Sequence, residues 1–419
     1  MLRADRMFDD ERFSNGPMTV LVEDGRIVGV EEGMPDVPDG WRVLDHPGGT
    51  VLPGLIDSHV HLVTDSGEGA LDRVGAAGDD DLDSIITEGL RRQLAAGVTT
   101  VRDLGDRRFN VVGRRDRQRS GSVAEPEPAI LASGPPVTSA GGHCHYMGGE
   151  VSGADAIIAA VDERIERGVD IVKVMASGGM NTVGTDVMGC QFSTPELRLL
   201  VDRAHAAGLP VTAHAHSLPA VEQAIQVGVD GIEHCSCLTP AGPVSTDEVL
   251  DGLVSRGIFV GGALGAPPVA ALAAKAPPQV RAMMEQRGIT PEAVRSLVVA
   301  FRGQMYRAGV RFVAGADSGI APEVAHGLLH RSVSFFVEAG ASPAEALAAA
   351  TSVSAQACGV GSRKGLLRRG YDADVVVVDG DLASDVANLS RVRSVVLGGA
   401  VVRAGSVGDP AASTLTVRG

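Results

Sequence analysis

The sequence predicts an α/β protein, a (β/α)8 barrel with strand-rich segments at both ends. Three observations carry this. Eight apolar strand candidates alternate with helical stretches over roughly 300 residues, which is the size of such a barrel. Several helical stretches stop at a glycine (Gly97, Gly168, Gly208, Gly257, Gly309), where a left-handed position closes a helix. No glycine-rich dinucleotide loop follows the first strand, so the competing fold, an open doubly wound sheet, lacks its marker.

The chain has 419 residues, of which 44% are hydrophobic and 21% charged, values that suit a globular enzyme. Residues 17–31 alternate around Asp24–Gly25 and read as a hairpin. Residues 365–403 have the same character, with a β-branched run Val375–Val378 and a second turn at Gly398–Gly399. Between the ends, strand candidates fall at 50–62, 98–105, 129–134, 170–179, 210–216, 231–236, 258–264 and 310–319. Helices are expected at 82–96, 154–167, 194–207, 218–228, 246–256, 279–308, 326–339 and 343–357. Thr194 reads as an N-cap, with Pro195 opening its helix. Apolar strands separated by helices argue for parallel pairing.

Composition excludes several classes. A net charge of −15 disfavours a phosphate backbone or an anionic membrane surface as partner. Aromatic residues are only 3%, too few for base-stacking platforms. No apolar run reaches about 18 residues, so no membrane span is expected. The first twenty residues mix acids and bases without an apolar core, unlike a signal peptide. Five scattered cysteines do not form a disulfide framework, which fits a reducing cytoplasm.

The chemistry lies at the strand ends. The first strand ends in His59-Val60-His61, the fourth carries Lys173, the fifth ends with His214, with His216 two residues on, the sixth with His234 and the eighth with Asp317. In a barrel these ends converge on one mouth. His59 and His61, two apart on a strand, point to one side and can reach one ion. One such pair is weak evidence, but four of eleven histidines at strand ends, joined by a lysine and an aspartate, form a constellation. Imidazole and carboxylate suit zinc, manganese or iron. Four histidines and one aspartate exceed what one tetrahedral ion needs, and suit two ions about 3.5–4 Å apart if a further ligand bridges them. Lys173 is the anomaly, because a lone buried ammonium is costly and tends to lose its proton. Its alternative roles are snorkelling to the mouth or pairing with an acid.

The stretches "PGLIDSHVHL" (53–62), "KVMASGG" (173–179), "AHAH" (213–216), "IEHCS" (232–236), "AGADSG" (314–319) and "GLLRRGYDADVVVVDGD" (365–381) resemble the amidohydrolase superfamily over nearly the whole chain. "KVMASGG" resembles its prolidase-like branch of Xaa-Pro dipeptidases, arginine/lysine carboxypeptidases and ochratoxin amidases. The resemblance implies a composite β-sandwich from residues 1–50 and 360–419 around a barrel at 51–359. It implies that Lys173 reacts with carbon dioxide to form a carbamate bridging two divalent ions, zinc first among them. His59, His61 and Asp317 would hold the buried ion, and His214 and His234 the exposed one, with His216 further out. Asp317 would also move the proton of a bridging hydroxide to the leaving nitrogen.

The resemblance also implies that His143, in "HCH" at 143–145, contacts the substrate. Tyr146 and Arg102 are further pocket candidates, although an ion pair of Arg102 with Asp103 or another acid is an equal reading. His145 is left without a role, and Cys235 and Cys237 read as packing. The deaminase branch carries His-Ala-Asp-Glu at strand 5 and lacks the lysine, so "HAHS" beside Lys173 sets the chain apart from imidazolonepropionase and the base deaminases. The expected reaction is metal-dependent hydrolysis of an amide-type C–N bond in a small molecule. Dipeptides, including Xaa-Pro, and N-acyl amino acids come first, then carbamates, thiocarbamates and substituted ureas, then lactones or phosphotriesters. A homo-oligomer is expected. A non-catalytic scaffold or binding relative is the reading from another class, and it predicts no bound metal. Specificity is expected in the loops 63–81, 106–128, 180–192 and 265–278.

Overall fold

The computed structural model describes residues 1–10, 12–262, 281, 285, 286, 288 and 290–402. Eight parallel strands form its centre: β1 (Leu55–Val60), β2 (Val98–Asp103), β3 (Ala129–Ala132), β4 (Val172–Met175), β5 (Val211–Ser217), β6 (Gly231–Thr239), β7 (Phe259–Gly261) and β8 (Arg311–Phe312). Pairing runs β1–β2–β3 and β4–β5–β6–β7–β8. Two parallel bridges, Val137 to Val174 and Val60 to Ser318, join these sets at both ends, so the pairing runs in a ring.

Helices follow most strands. Ser193 and Glu196 make a reciprocal capping box, so the helix Thr194–Ala206 is capped one residue earlier than the sequence suggests. The expected helix at 343–357 is two helices, Pro343–Ala349 and Ser352–Ala357. The region 106–128, expected as a loop, contains the helix Asn110–Arg119. Helix Pro291–Arg307 starts from a Thr290 cap. Most of the earlier part of the expected helix 279–308, and the whole loop 265–278, lie outside the described residues. All five glycines expected to stop helices have positive φ, between 62° and 89°.

Both chain ends enter one eight-stranded sheet, in which Leu44–Pro53 pairs parallel with Leu2–Asp9 and antiparallel with Val375–Asp379. The expected hairpins stand at Met18–Glu23/Arg26–Glu32 and Val392–Leu397/Ala400–Val402. Their turns touch: a Cβ added at Gly399 would lie 3.1 Å from the Gly25 Cα, so the sheet curls until its two ends meet. The run Val375–Val378 is buried on both faces. Val376 and Val378 join the core of the central strands, while Val375 and Val377 join Leu2, Val20, Ile27 and Val51. Full burial of each valine is worth about 1.5–3 kcal/mol, which explains a β-branched run where one-sided strands alternate.

The apolar stretch at 50–62, expected as one strand, divides at Gly54 between this sheet and β1. A Cβ at Gly54 would sit 2.1 Å from Thr99 Oγ1, so only glycine passes there. Among the described residues no helix is long and apolar enough to cross a membrane.

Candidate active site

His59 and His61 lie at the end of β1 and the loop it enters, and Asp317 in the loop after β8. The Asp317 carboxylate stands 3.4 Å from His59 Nε2 and 3.1 Å from His61 Nε2. Buried backbone contacts set this geometry. The Asp57 carboxylate accepts from the Ala316 N–H (3.1 Å) and the Ser318 hydroxyl (2.9 Å), gripping both neighbours of Asp317. Asp103 accepts from the N–H of Leu62 at 2.7 Å and so fixes the chain after His61.

A second group forms from β5 and β6. Ligand atoms of His214, His216 and His234 all lie within 4.8 Å of one another, as do those of His59, His61 and Asp317. The sequence reading set His216 further out, yet its ring stacks on His234 with centroids 4.6 Å apart, and its Nδ1 meets the Ser236 hydroxyl at 3.0 Å. The two groups adjoin, with the His59 and His234 rings 5.5 Å apart.

Lys173 is 1% exposed. On the strand register it opposes Thr212, two residues before His214. Among the described residues no carboxylate lies within 4 Å of its Nζ, so neither snorkelling nor direct ion pairing accounts for it. Burial pulls its pKa down to about 8, against the pull of Glu233 and Asp317.

Burial holds His214 and His234 well below the ordinary imidazole pKa, and His216 at about 4. His59 is also lowered by burial. Burial acts the same way on His61, but its hydrogen bond to Asp317 reverses the net shift upward. Burial would raise Asp317, yet the surrounding histidines hold it well below the carboxylate range. Neutral imidazoles beside an ionised carboxylate are a ready donor set for metal ions. Two triads with an unpaired amine close by fit two divalent ions.

Glu233, which the sequence reading passed over, supports the first group. Its Oε2 accepts from His59 Nδ1 at 2.9 Å, and its Oε1 accepts from Arg102 at 3.2 Å and the Thr212 hydroxyl at 2.9 Å. The signal was one acidic letter in the apolar run just before His234. Arg102 is thereby accounted for as an ion-pair partner. Its guanidinium is 4% exposed and also bonds the carbonyls of Ser58 and Ala357, which turns it away from a substrate-facing role. The acid it meets is Glu233 rather than Asp103.

His143 does reach the site, its ring centroid 4.6 Å from that of His214. Burial lowers its pKa to about 3. Tyr146 is half-buried beside an apolar cluster of Leu71, Cys144, Met147 and Met175, its hydroxyl 3.7 Å from the Cys144 sulfur. His145 turns back on its own loop, at 3.2 Å from the Gly142 carbonyl. Cys235 and Cys237 are fully buried in the core. His234, Cys235, Cys237 and Asp317 all have left-handed backbones, with φ of 65°, 44°, 46° and 52°. Non-glycine residues hold that conformation only where their surroundings impose it. Arg302 supplies part of this constraint by donating to the carbonyls of His234 and Cys235.

A family profile described as the amidohydrolase family matches residues 50–402. The chain belongs to the amidohydrolase family. An ochratoxinase from Aspergillus niger is 24% identical over 92% of this chain and 82% of its own. The structure of a Xaa-Pro dipeptidase with bound methionine superposes with a TM-score of 0.83 at 25% identity, over 96% of this chain and 99% of the other. A putative prolidase from Bifidobacterium longum superposes at 0.75 with 29% identity, over 96% and 93%. The prolidase-like resemblance is borne out, and the protein is an enzyme of amide-type C–N bond hydrolysis.

Proposed function

We propose that this amidohydrolase cleaves dipeptides or N-acyl amino acids with two divalent ions held across Lys173. The observation that carries the reading is Lys173 itself: a buried amine with no acid among the described residues within 4 Å, electrostatically coupled to members of both donor groups. A neutral buried amine is the nucleophile that carbon dioxide requires, and the resulting carbamate supplies the bridging anion that two imidazole-rich groups lack. His59, His61 and Asp317 would hold one ion, and His214 and His234 the other, with His216 beside them. Zinc suits these nitrogen and oxygen donors. When bound, such ions acidify water and polarise the carbonyl oxygen.

The chain's own groups do the rest. Asp317 accepts the proton of the attacking water as its oxygen bonds to the carbonyl carbon. Asp317 then gives that proton to the nitrogen as the C–N bond breaks. His143 bonds the substrate carbonyl or carboxylate, and Tyr146 borders the same space. The ring of eight parallel strands supports a (β/α)8 barrel at 51–359, and the meeting of the two hairpin turns supports a sandwich-like module from 1–50 and 360–419. A cytoplasmic homo-oligomer is part of the same proposal.

The test is elemental analysis of the wild type and Lys173→Ala, purified without chelators, followed by a dipeptide and N-acyl amino acid panel. Two equivalents in the wild type, falling sharply in the variant, with dipeptide turnover, are expected. One equivalent in both overturns the bridged site. Turnover of phenylureas or thiocarbamates with none of dipeptides overturns the substrate class.

A further inference from the structure

The loop after β4 grips His143 from three sides. Gly179 lies against its ring, so closely that a Cβ there would come within 2.3 Å of Cε1 and Nε2. Gln191 accepts the His143 N–H at 2.6 Å, and its amide nitrogen donates to the carbonyl of Met175 at 2.7 Å, tying His143 to the end of β4. Thr182, a buried residue, places its hydroxyl 2.7 Å from His143 Nδ1.

A threonine hydroxyl has one hydrogen to give and two lone pairs to receive. The Cys144 N–H, at 3.2 Å, occupies one lone pair. The thiol of Cys144 and the phenol of Tyr146 also border Thr182 and can accept as well as donate, but thiol sulfur and phenol oxygen are weaker acceptors than an imidazole nitrogen, and the short 2.7 Å contact is to His143. His143 Nδ1 is the acceptor at short range. A ring nitrogen that accepts here carries no proton, so the proton of the neutral ring sits on Nε2.

We propose that Thr182 is a positioning residue that donates to His143 Nδ1 and holds His143 as the Nε2–H tautomer. His143 is thereby a hydrogen-bond donor into the site, suited to a substrate carbonyl or carboxylate oxygen and unsuited to ligate a metal through that nitrogen. His143, although two residues from His145 in a pattern that could hold a metal, therefore adds no ligand through that nitrogen. The Thr182 contact also makes the loop at 178–192 part of the substrate site. Thr185 fastens that loop, its hydroxyl meeting the carbonyls of Gly179 (3.1 Å) and Thr182 (2.9 Å). The proposal rests on the hydrolase reading for its kinetic consequence, but not for the tautomer.

Two measurements test it. The first is nitrogen-15 NMR of the ring nitrogens in histidine-labelled, metal-loaded wild type, with His143 assigned by comparison with His143→Gln. A protonated Nε2 with a bare, hydrogen-bonded Nδ1 is expected, and a protonated Nδ1 overturns the proposal. The second compares Thr182→Val with Thr182→Ser on a substrate that the wild type turns over. The valine variant should lose about 10–100-fold in kcat/KM with unchanged metal content, the scale seen when a partner that orients a histidine is removed, and serine should restore most of it. Wild-type kcat/KM in the valine variant overturns the positioning role. If the wild type hydrolyses no amide at all, the hydrolase reading fails, and the NMR result still decides the tautomer.

Discussion

Removing one charge from Glu233 should weaken both metal binding and the fold. Three donors converge on this buried carboxylate: His59 Nδ1 at 2.9 Å on one oxygen, and Arg102 at 3.2 Å with Thr212 at 2.9 Å on the other. A glutamine of the same shape offers one accepting oxygen and one donating nitrogen. With its oxygen toward Arg102 and Thr212, its NH2 faces His59 Nδ1. His59 must then carry its proton on Nε2, the nitrogen that stands 3.4 Å from Asp317 and is needed for a metal. With the amide reversed, the NH2 faces two donors. Either orientation leaves the Arg102 charge without an ionised partner, facing only neutral groups such as the carbonyls of Ser58 and Ala357. Breaking a buried pair on one side costs about 3–5 kcal/mol. Losing the partner that orients a ligating histidine costs about 10–100-fold in metal affinity. The assay is zinc titration of Glu233→Gln against a chromophoric chelator, together with its urea unfolding midpoint. Affinity within threefold of wild type and an unmoved midpoint would refute the reasoning.

Other perturbations have equally definite outcomes. Asp317→Asn should lower kcat by about 10²–10⁴, because it removes the proton carrier, and steady-state kinetics at saturating substrate reads this directly. Reconstitution of metal-free protein with zinc at fixed dissolved carbon dioxide should quicken as pH rises through about 8, where Lys173 sheds its proton. Between pH 6.5 and 8.5 the neutral-amine fraction around such a pKa grows roughly 25-fold, so a flat profile would exclude carboxylation of that amine. On acidification, metal should leave the Asp317 group first, since His61 is raised and takes up a proton while His214 and His234 are held low. Cadmium NMR of the substituted protein between pH 5 and 7.5 would distinguish the two sites. Arg302→Met removes donors to the carbonyls of His234 and Cys235, and leaving such buried groups unsatisfied costs about 1–3 kcal/mol each, visible as a lower melting temperature.

What the sequence made legible shares one property: it repeats with a simple period. His59/His61 and His214/His216 sit two apart on strands, so one face of a strand carries both members of each pair. Alternating apolar strands and helices order the eight central strands, and Asp-Gly and Gly-Gly turns mark both hairpins. Glu233 escaped because an acid in an apolar strand reads alike whether it meets a guanidinium, a histidine or solvent, and its partners are 131 and 174 residues away. Thr182 and Gln191 escaped because polar loop residues are ordinary, and only the fold shows which of them meets a ring nitrogen. The stretch 50–62 looked like one strand because its break at Gly54 depends on contact with Thr99.

The left-handed residues mark the deepest limit. Cys235 and Cys237 have no propensity for the left-handed region, and although His234 and Asp317 are of types that visit it more readily, none of the four is a glycine, for which it is free of steric cost. What holds them is distant: Arg302 on the carbonyls of His234 and Cys235, and Asp57 on the flanks of Asp317, 259 and 261 residues away from its partners Ala316 and Ser318. The positive-φ positions therefore include two residues that carry the proposed chemistry, His234 and Asp317, and their supports are the buried side chains of Arg302 and Asp57, which belong to neither donor group. A binding site held in this way depends on groups outside the ligand set, which is why Glu233, Arg302 and Asp57 are as informative to mutate as the ligands themselves.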